Sequence, residues 1–253
     1  MIRLALALLL CLSAPALAAP EAIVAGLSQN RVSITADFDG TEILIYGAVK
    51  RDAPAPQGPM EVIVTVEGPA TTLTIRKKER RAGIWINTEA VHIDAAPSFY
   101  AVATTGPLDR ILSDTEDLRY RVSPARAIRA IGLTSEAADP AGFVDALMRI
   151  RFDEDRFRLQ QGTVEFVEDT LFRADVLLPA NLTEGEYKVR IMLTRDGKVI
   201  DSQERVVGVR KEGLERFLNN LAHQMPLLYG LLSLALAGLA GWGASAAFTM
   251  LRR

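Results

Sequence analysis

The sequence predicts a mainly β protein: an immunoglobulin-like β-sandwich region in two halves, a helical segment between them, and one C-terminal transmembrane helix. Three observations lead there. Apolar residues alternate with polar ones in short runs separated by turn clusters. That alternation lapses over residues 106–160, where helix-start signals replace it. From Pro226 to Leu251 no charged residue occurs, and Arg252-Arg253 follow.

Residues 1–18 read as a secretory signal peptide. Arg3 precedes an apolar run from Leu4 to Leu12, Ser13 and Pro15 break it, and Ala16 and Ala18 put small residues at −3 and −1. The run is about half the ~20 residues a spanning helix needs, so cleavage after Ala18 is expected. Cys11, the only cysteine, falls inside that run. The processed chain then has no thiol, which excludes disulfides, cysteine nucleophiles, thiolate zinc sites and iron–sulfur clusters, and suits an oxidising compartment.

Residues 19–105 form the first β-rich half. Val32, Ile34, Ala36 and Phe38 alternate up to the Asp39-Gly40 turn, and Glu42–Val49 continues as a strand. Beyond the proline-rich loop 54–59 come Val62, Val64 and Val66, then Leu73 and Ile75, Ile84–Ile86 around Trp85, and Phe99–Ala103. Several short strands at this spacing suggest a sandwich.

Residues 106–160 form the helical segment, with helices expected over Pro107–Tyr120 and Asp139–Phe157. Asp139 followed by Pro140 is a sound helix start. Phe143, Ala146, Leu147 and Ile150 fall on one face, while Asp145/Arg149, Arg151/Asp155 and Glu154/Arg158 stand four apart on others.

Residues 161–211 form the second β-rich half. Phe172, Ala174, Val176 and Leu178 alternate, as do Tyr187, Val189, Ile191 and Leu193, and Asp196-Gly197 marks a tight hairpin leading into Lys198–Val209. Residues 212–225 read as a juxtamembrane helix, with Leu214, Phe217, Leu218 and Leu221 on one stripe. It either lies along the membrane surface or forms the first turns of a long helix broken near Pro226.

Residues 226–251 are the transmembrane helix and residues 252–253 a cytoplasmic tail. The signal peptide sends the N-terminal domain out and the terminal arginines hold the C-terminus in. Ser233, Ala237, Gly241 and Ser245 recur every four residues, a candidate helix-packing stripe.

Between the two apolar ends, 26 basic residues stand against 31 acidic ones, a net charge of −5 that argues against nucleic-acid binding. No hydrolase elbow, phosphate loop, zincin or dinucleotide motif occurs. His92, between Val91 and Ile93, and His223, just before the membrane, do not make a metal site. No catalytic, cofactor or metal residue is therefore expected. Acidic clusters at Asp114-Glu116-Asp117 and Asp153-Glu154-Asp155 read as solvated helix faces, and only a convergent pair in a deep pocket would give a carboxylate-based hydrolase. The densest charge feature is Arg76, Lys77, Lys78, Glu79, Arg80 and Arg81, a candidate contact for anionic surfaces or a solvated hairpin tip.

Three groups of residues carry a family resemblance. They are Ser28–Ile34 with Phe38-Asp39-Gly40 and Ile45-Tyr46-Gly47-Ala48; Ser98–Ala103; and Pro226-Leu227-Leu228-Tyr229-Gly230. Together they resemble the alphaproteobacterial putative transmembrane protein family, which has no assigned function. The resemblance implies an inner-membrane protein with a periplasmic domain. Members are often encoded beside TauE/SafE-type anion (sulfite) permeases, which implies by association an accessory role in export of sulfur-containing anions. The function expected is thus a membrane-anchored periplasmic interaction protein, with a multispanning permease or a second copy as partner through the helix. A ligand- or envelope-binding module using the basic hairpin is the alternative.

Overall fold

The computed structural model describes residues 21–52, 58–130, 139–211 and 221–251. The expected signal peptide, most of the proline-rich loop, most of the expected juxtamembrane segment and the terminal arginines lie outside the described residues. In chain order the strands are β1 (Ala22–Leu27), β2 (Arg31–Ile34), β3 (Gly40–Lys50), β4 (Met60–Glu67), β5 (Ala70–Arg81), β6 (Ile84–Pro97) and β7 (Tyr100–Thr104). Helices α1 (Leu108–Ile111), α2 (Asp114–Tyr120), α3 (Pro124–Ala127) and α4 (Pro140–Asp153) follow. Then come β8 (Phe157–Gln161), β9 (Glu165–Val167), β10 (Leu171–Pro179), β11 (Gly185–Arg195), β12 (Lys198–Lys211) and α5 (Pro226–Leu251).

The fold is mainly β, but the two β-rich stretches do not form separate halves. One sheet runs β1-β3-β10-β9 and the other β2-β12-β11-β4-β7-β8, so each takes strands from both stretches. The reason lies in β4. Val62, Val64 and Val66 point into a core shared with Ile43, Ile45, Phe172 and Val176 of the four-stranded sheet, whereas Ile63 points the other way. A strand covered on both faces is apolar at nearly every position, and it must have neighbours on both edges. Those neighbours are β11 and β7.

The second face of the six-stranded sheet carries its own core. Ile63, Tyr100, Val102 and Met192 meet Val91, Ile93 and Ala96 of the β5–β6 ribbon and Phe143 and Leu147 of α4. The fold therefore has three layers: four-stranded sheet, six-stranded sheet, and a layer of ribbon and helices. The helical segment is the third layer rather than a spacer between two sandwiches.

Several local details differ from expectation. The alternating run from Val32 to Phe38 is a strand only to Ile34, because the amide of Phe38 bonds the Thr35 carbonyl in a turn. The chain then crosses between sheets, β2 running parallel to β12. The expected helix over Pro107–Tyr120 is broken into α1 and α2, with Ser113 accepting from the Glu116 amide as the new cap. Asp139 caps α4 as expected, its side chain accepting from Gly142 N at 3.1 Å. But α4 ends at Asp153, Asp155 takes a left-handed φ of 57°, and Phe157 opens β8. The spacing-of-four pairs across that end are replaced by Arg151–Glu154 (3.5 Å), Arg156–Glu154 (3.2 Å) and Arg158–Asp155 (3.6 Å). The Asp196-Gly197 hairpin forms with φ of 50° and 73°, a turn whose twist matches the flanking strands.

Two side-chain networks hold the layers together. Asp201 and Gln203 on β12 accept from Ile23 N (2.7 Å) and Ala25 N (2.9 Å), which closes the outer edge of β1 against further pairing. Tyr100 donates to the Val122 carbonyl (2.8 Å) and Arg190 to the Tyr120 carbonyl (2.6 Å), tying the C-terminal end of α2 to the six-stranded sheet.

Candidate functional site

The basic segment is strand, not hairpin tip. β5 pairs with β6 as a two-stranded ribbon that turns through Ala82 (φ 51°) and Gly83 (φ 86°), so Arg76–Arg81 forms the distal half of a strand. Residues at a register pair share a face. Ile75↔Val91, Lys77↔Glu89, Glu79↔Ile86 and Arg81↔Ile84 lie on the face that continues into the core of the helix layer. Thr74↔His92, Arg76↔Ala90, Lys78↔Asn87 and Arg80↔Trp85 lie on the other, where all eight residues are exposed.

This division separates the five cations. On the inner face Lys77 pairs with Glu79 (3.5 Å) and Glu89 (3.8 Å), and Arg81 pairs with Glu79 (3.4 Å). On the outer face Arg76, Lys78 and Arg80 form no ion pair among the described residues. A register shift at Lys77/Lys78 leaves Thr88 as an extra residue on β6, and its hydroxyl donates to the Lys77 carbonyl at 3.4 Å. At the ribbon's end Ile84 and Trp85 are 65% and 68% exposed.

Where the ribbon crosses α4 there is a groove of about 400 Å³ lined by Ile75, Arg76, Lys77, Glu89, Phe143 and Ile150, among others. A second, shallower depression of about 470 Å³ holds Asp109, Asp114 and Asp117 beside Leu112 and Leu159. Two carboxylates of this neighbourhood serve the backbone. Asp117 is occupied by Val122 N (3.0 Å), Ser123 N (2.7 Å) and Ser123 Oγ (2.7 Å), and Glu116 by Val199 N (3.1 Å). Asp117 and Glu116 thus anchor the loops that follow α2 and open β12. Among the described residues no group of three His, Cys, Asp or Glu side chains converges as a metal site. His92 stands on the outer ribbon face, its Nδ1 3.5 Å from Thr74 Oγ1, and His223 lies in the helical turn before Pro226.

A buried ionic cluster was not legible in the sequence. Glu21, 6% exposed, accepts from Arg51 Nε at 2.7 Å and from Arg195 at 2.6 and 3.2 Å. Burial pushes its carboxyl up, but the hydrogen bonds and charges of Arg195 and Arg51 outweigh that and hold it below the usual range. Glu21 and its two arginines are 30 and 174 positions apart, so no local pattern announces them.

Helix α5 is long and apolar enough to cross a bilayer: 26 residues rise about 39 Å at ~1.5 Å each. Leu227, Leu234 and Trp242 are more than 70% exposed. The hydrogen-bonded spiral passes through the proline: Met225 N bonds the Leu221 carbonyl and Tyr229 N the Met225 carbonyl, both at 3.0 Å. The last juxtamembrane turn therefore runs into α5 around Pro226. Of the small-residue stripe, Ser233 donates its hydroxyl to the Tyr229 carbonyl at 2.8 Å, and a Cβ on Gly241 would meet nothing within 4 Å. Ser245 is on the same helix, and its side chain lies outside the described residues.

A family model described as "Putative transmembrane protein (Alph_Pro_TM)" matches residues 22–250. No curated protein matches the chain. Among solved structures, Spo0M, a sporulation control protein from Bacillus subtilis, is similar at 11% identity with a TM-score of 0.27. The likeness covers 77% of this chain and 51% of that one, so the chain spans about half of that protein's length. A superposition this loose transfers neither fold nor role.

Proposed function

The chain belongs to the putative transmembrane protein family whose model spans residues 22–250, and from that premise we propose that it is a bitopic accessory protein of the bacterial inner membrane. In this reading the signal peptide exports the three-layer β domain to the periplasm, α5 anchors it, and Arg252-Arg253 remain in the cytoplasm. The observation that carries it is the exposed, uncharged surface of α5 joined to a folded β domain. Such a chain holds a folded domain at a membrane.

The partner proposed is a multispanning membrane protein, with an anion permease of the TauE/SafE type as the first candidate and a second copy of the chain as the other. Contact through Ser233, Ala237, Gly241 and Ser245 would let backbones approach closely in lipid. Because Gly241 has open space around it, Ala237→Leu with Gly241→Leu adds bulk to the helix surface without disturbing the domain. Mild-detergent purification of the tagged full-length chain should recover the partner, and the double variant should lose it. Equal recovery by both would remove the stripe from the contact.

A further inference from the structure

The outer face of the β5–β6 ribbon combines three features that its sequence neighbours do not share. It carries Arg76, Lys78 and Arg80 with no carboxylate at any facing register position. These cations recur every second residue, about 6.7 Å apart along the strand. The row ends at Trp85, opposite Arg80 and 68% exposed. Of the ribbon's three carboxylates, Glu79 and Glu89 are on the inner face with Lys77 and Arg81, and Asp94 stands towards the proximal end of β6.

We infer that this face is a docking surface for the anionic headgroups of the bilayer that α5 spans, with Arg76, Lys78 and Arg80 on the headgroups and Trp85 at the interface. The inference rests on the anchoring role proposed for α5. Charge complementarity supports the occupant: a positive strip stands on a chain of net charge −2, so attraction is confined to the strip. An exposed Trp is costly in water and favoured at the level of the headgroups. Each Lys or Arg near an anionic surface adds a modest attraction, and the tether converts that into an intramolecular contact at high effective concentration. The inner face cannot serve, because its cations already have acid partners and its proximal half packs on α4.

The chain has two tryptophans, Trp85 and Trp242, which allow a direct test. Full-length protein is reconstituted into bilayers of brominated phosphatidylcholine with or without phosphatidylglycerol, and tryptophan quenching is read. In Trp85→Phe, quenching of Trp242 reports the anchor in both bilayers; its loss would defeat the anchoring role itself. In Trp242→Phe, Trp85 should be quenched and shielded from aqueous acrylamide several-fold more in the phosphatidylglycerol bilayer. High salt should reverse this, as should Arg76→Gln, Lys78→Gln and Arg80→Gln together, whereas Lys77→Gln with Arg81→Gln should not. Trp242 quenched while Trp85 stays water-exposed in both bilayers would overturn the docking surface. So would a Trp85 response to soluble polyphosphate but not to the anionic bilayer, which would assign the strip to a polyanion.

Discussion

Arg195 grips Glu21 with two N–H···O bonds of 2.6 and 3.2 Å, fastening a residue beside the predicted cleavage site to the far end of β11. Arg51 completes the cluster from the end of β3, so both sheets meet at one buried carboxylate.

Removing that charge leaves two guanidinium groups facing each other. Glu21→Gln should destabilise the domain by about 3 kcal/mol, the scale for breaking a largely buried pair, read as a lowered denaturation midpoint of the detergent-solubilised chain. The pH dependence has a definite sign. Glu21's folded pKa lies below its reference value of 4.5, so its contribution is complete above about that pH and disappears as pH falls through the lower folded value. The wild type should lose more stability than Glu21→Gln on acidification in that window.

Gly47 sits directly beneath the ring of Phe172, its register partner. A Cβ there would lie 2.5 Å from Phe172 Cζ and 2.6 Å from the Val24 carbonyl. Gly47→Ala should cost about 1–3 kcal/mol by overpacking, and Gly47→Ala with Phe172→Leu should recover part of it. Equal stability of Gly47→Ala and wild type would contradict the close packing of β1, β3 and β10.

Tyr100 is fully buried, and burial holds its phenol well above the usual tyrosine range. Its hydroxyl joins β7 to the end of α2 through the Val122 carbonyl. Tyr100→Phe should cost about 1–2 kcal/mol. Since the folded pKa is raised, Tyr100's contribution is complete below about pH 10 and is lost as pH rises above it. Burial also raises the Tyr187 phenol, so spectroscopic titration of the native chain should show tyrosine absorbance that resists ionisation above the usual range, and part of that resistant signal should vanish in Tyr100→Phe.

What the sequence revealed follows from the range of the forces involved. Alternation in Val62–Val66, Phe172–Leu178 and Tyr187–Leu193, the Asp139-Pro140 helix start and the Asp196-Gly197 hairpin are local, and each forms in the structure. The interleaving of two stretches into shared sheets is not local. It depends on Ile63 and Met192 needing cover on the second face of the sheet, which the ribbon and the helical segment supply. The resemblance residues Gly47 and Phe99 prove to be packing positions. The basic segment was visible as a cluster, but its division into paired and unpaired faces required the β5–β6 register and its shift at Lys77/Lys78. β1 and β8 lie outside the alternating runs, although the apolar run Ala22–Leu27 marks the first.

The proposed topology puts the β domain and the C-terminus on opposite sides of a membrane, with α5 between them. Two single-cysteine chains test it most directly, each carrying Cys11→Ser: one with Asn181→Cys on the exposed domain surface, one with Arg253→Cys. Labelling spheroplasts with a membrane-impermeant maleimide should modify the position-181 chain at once and the position-253 chain only after lysis. Labelling of both before lysis, or of position 253 alone, would contradict the account.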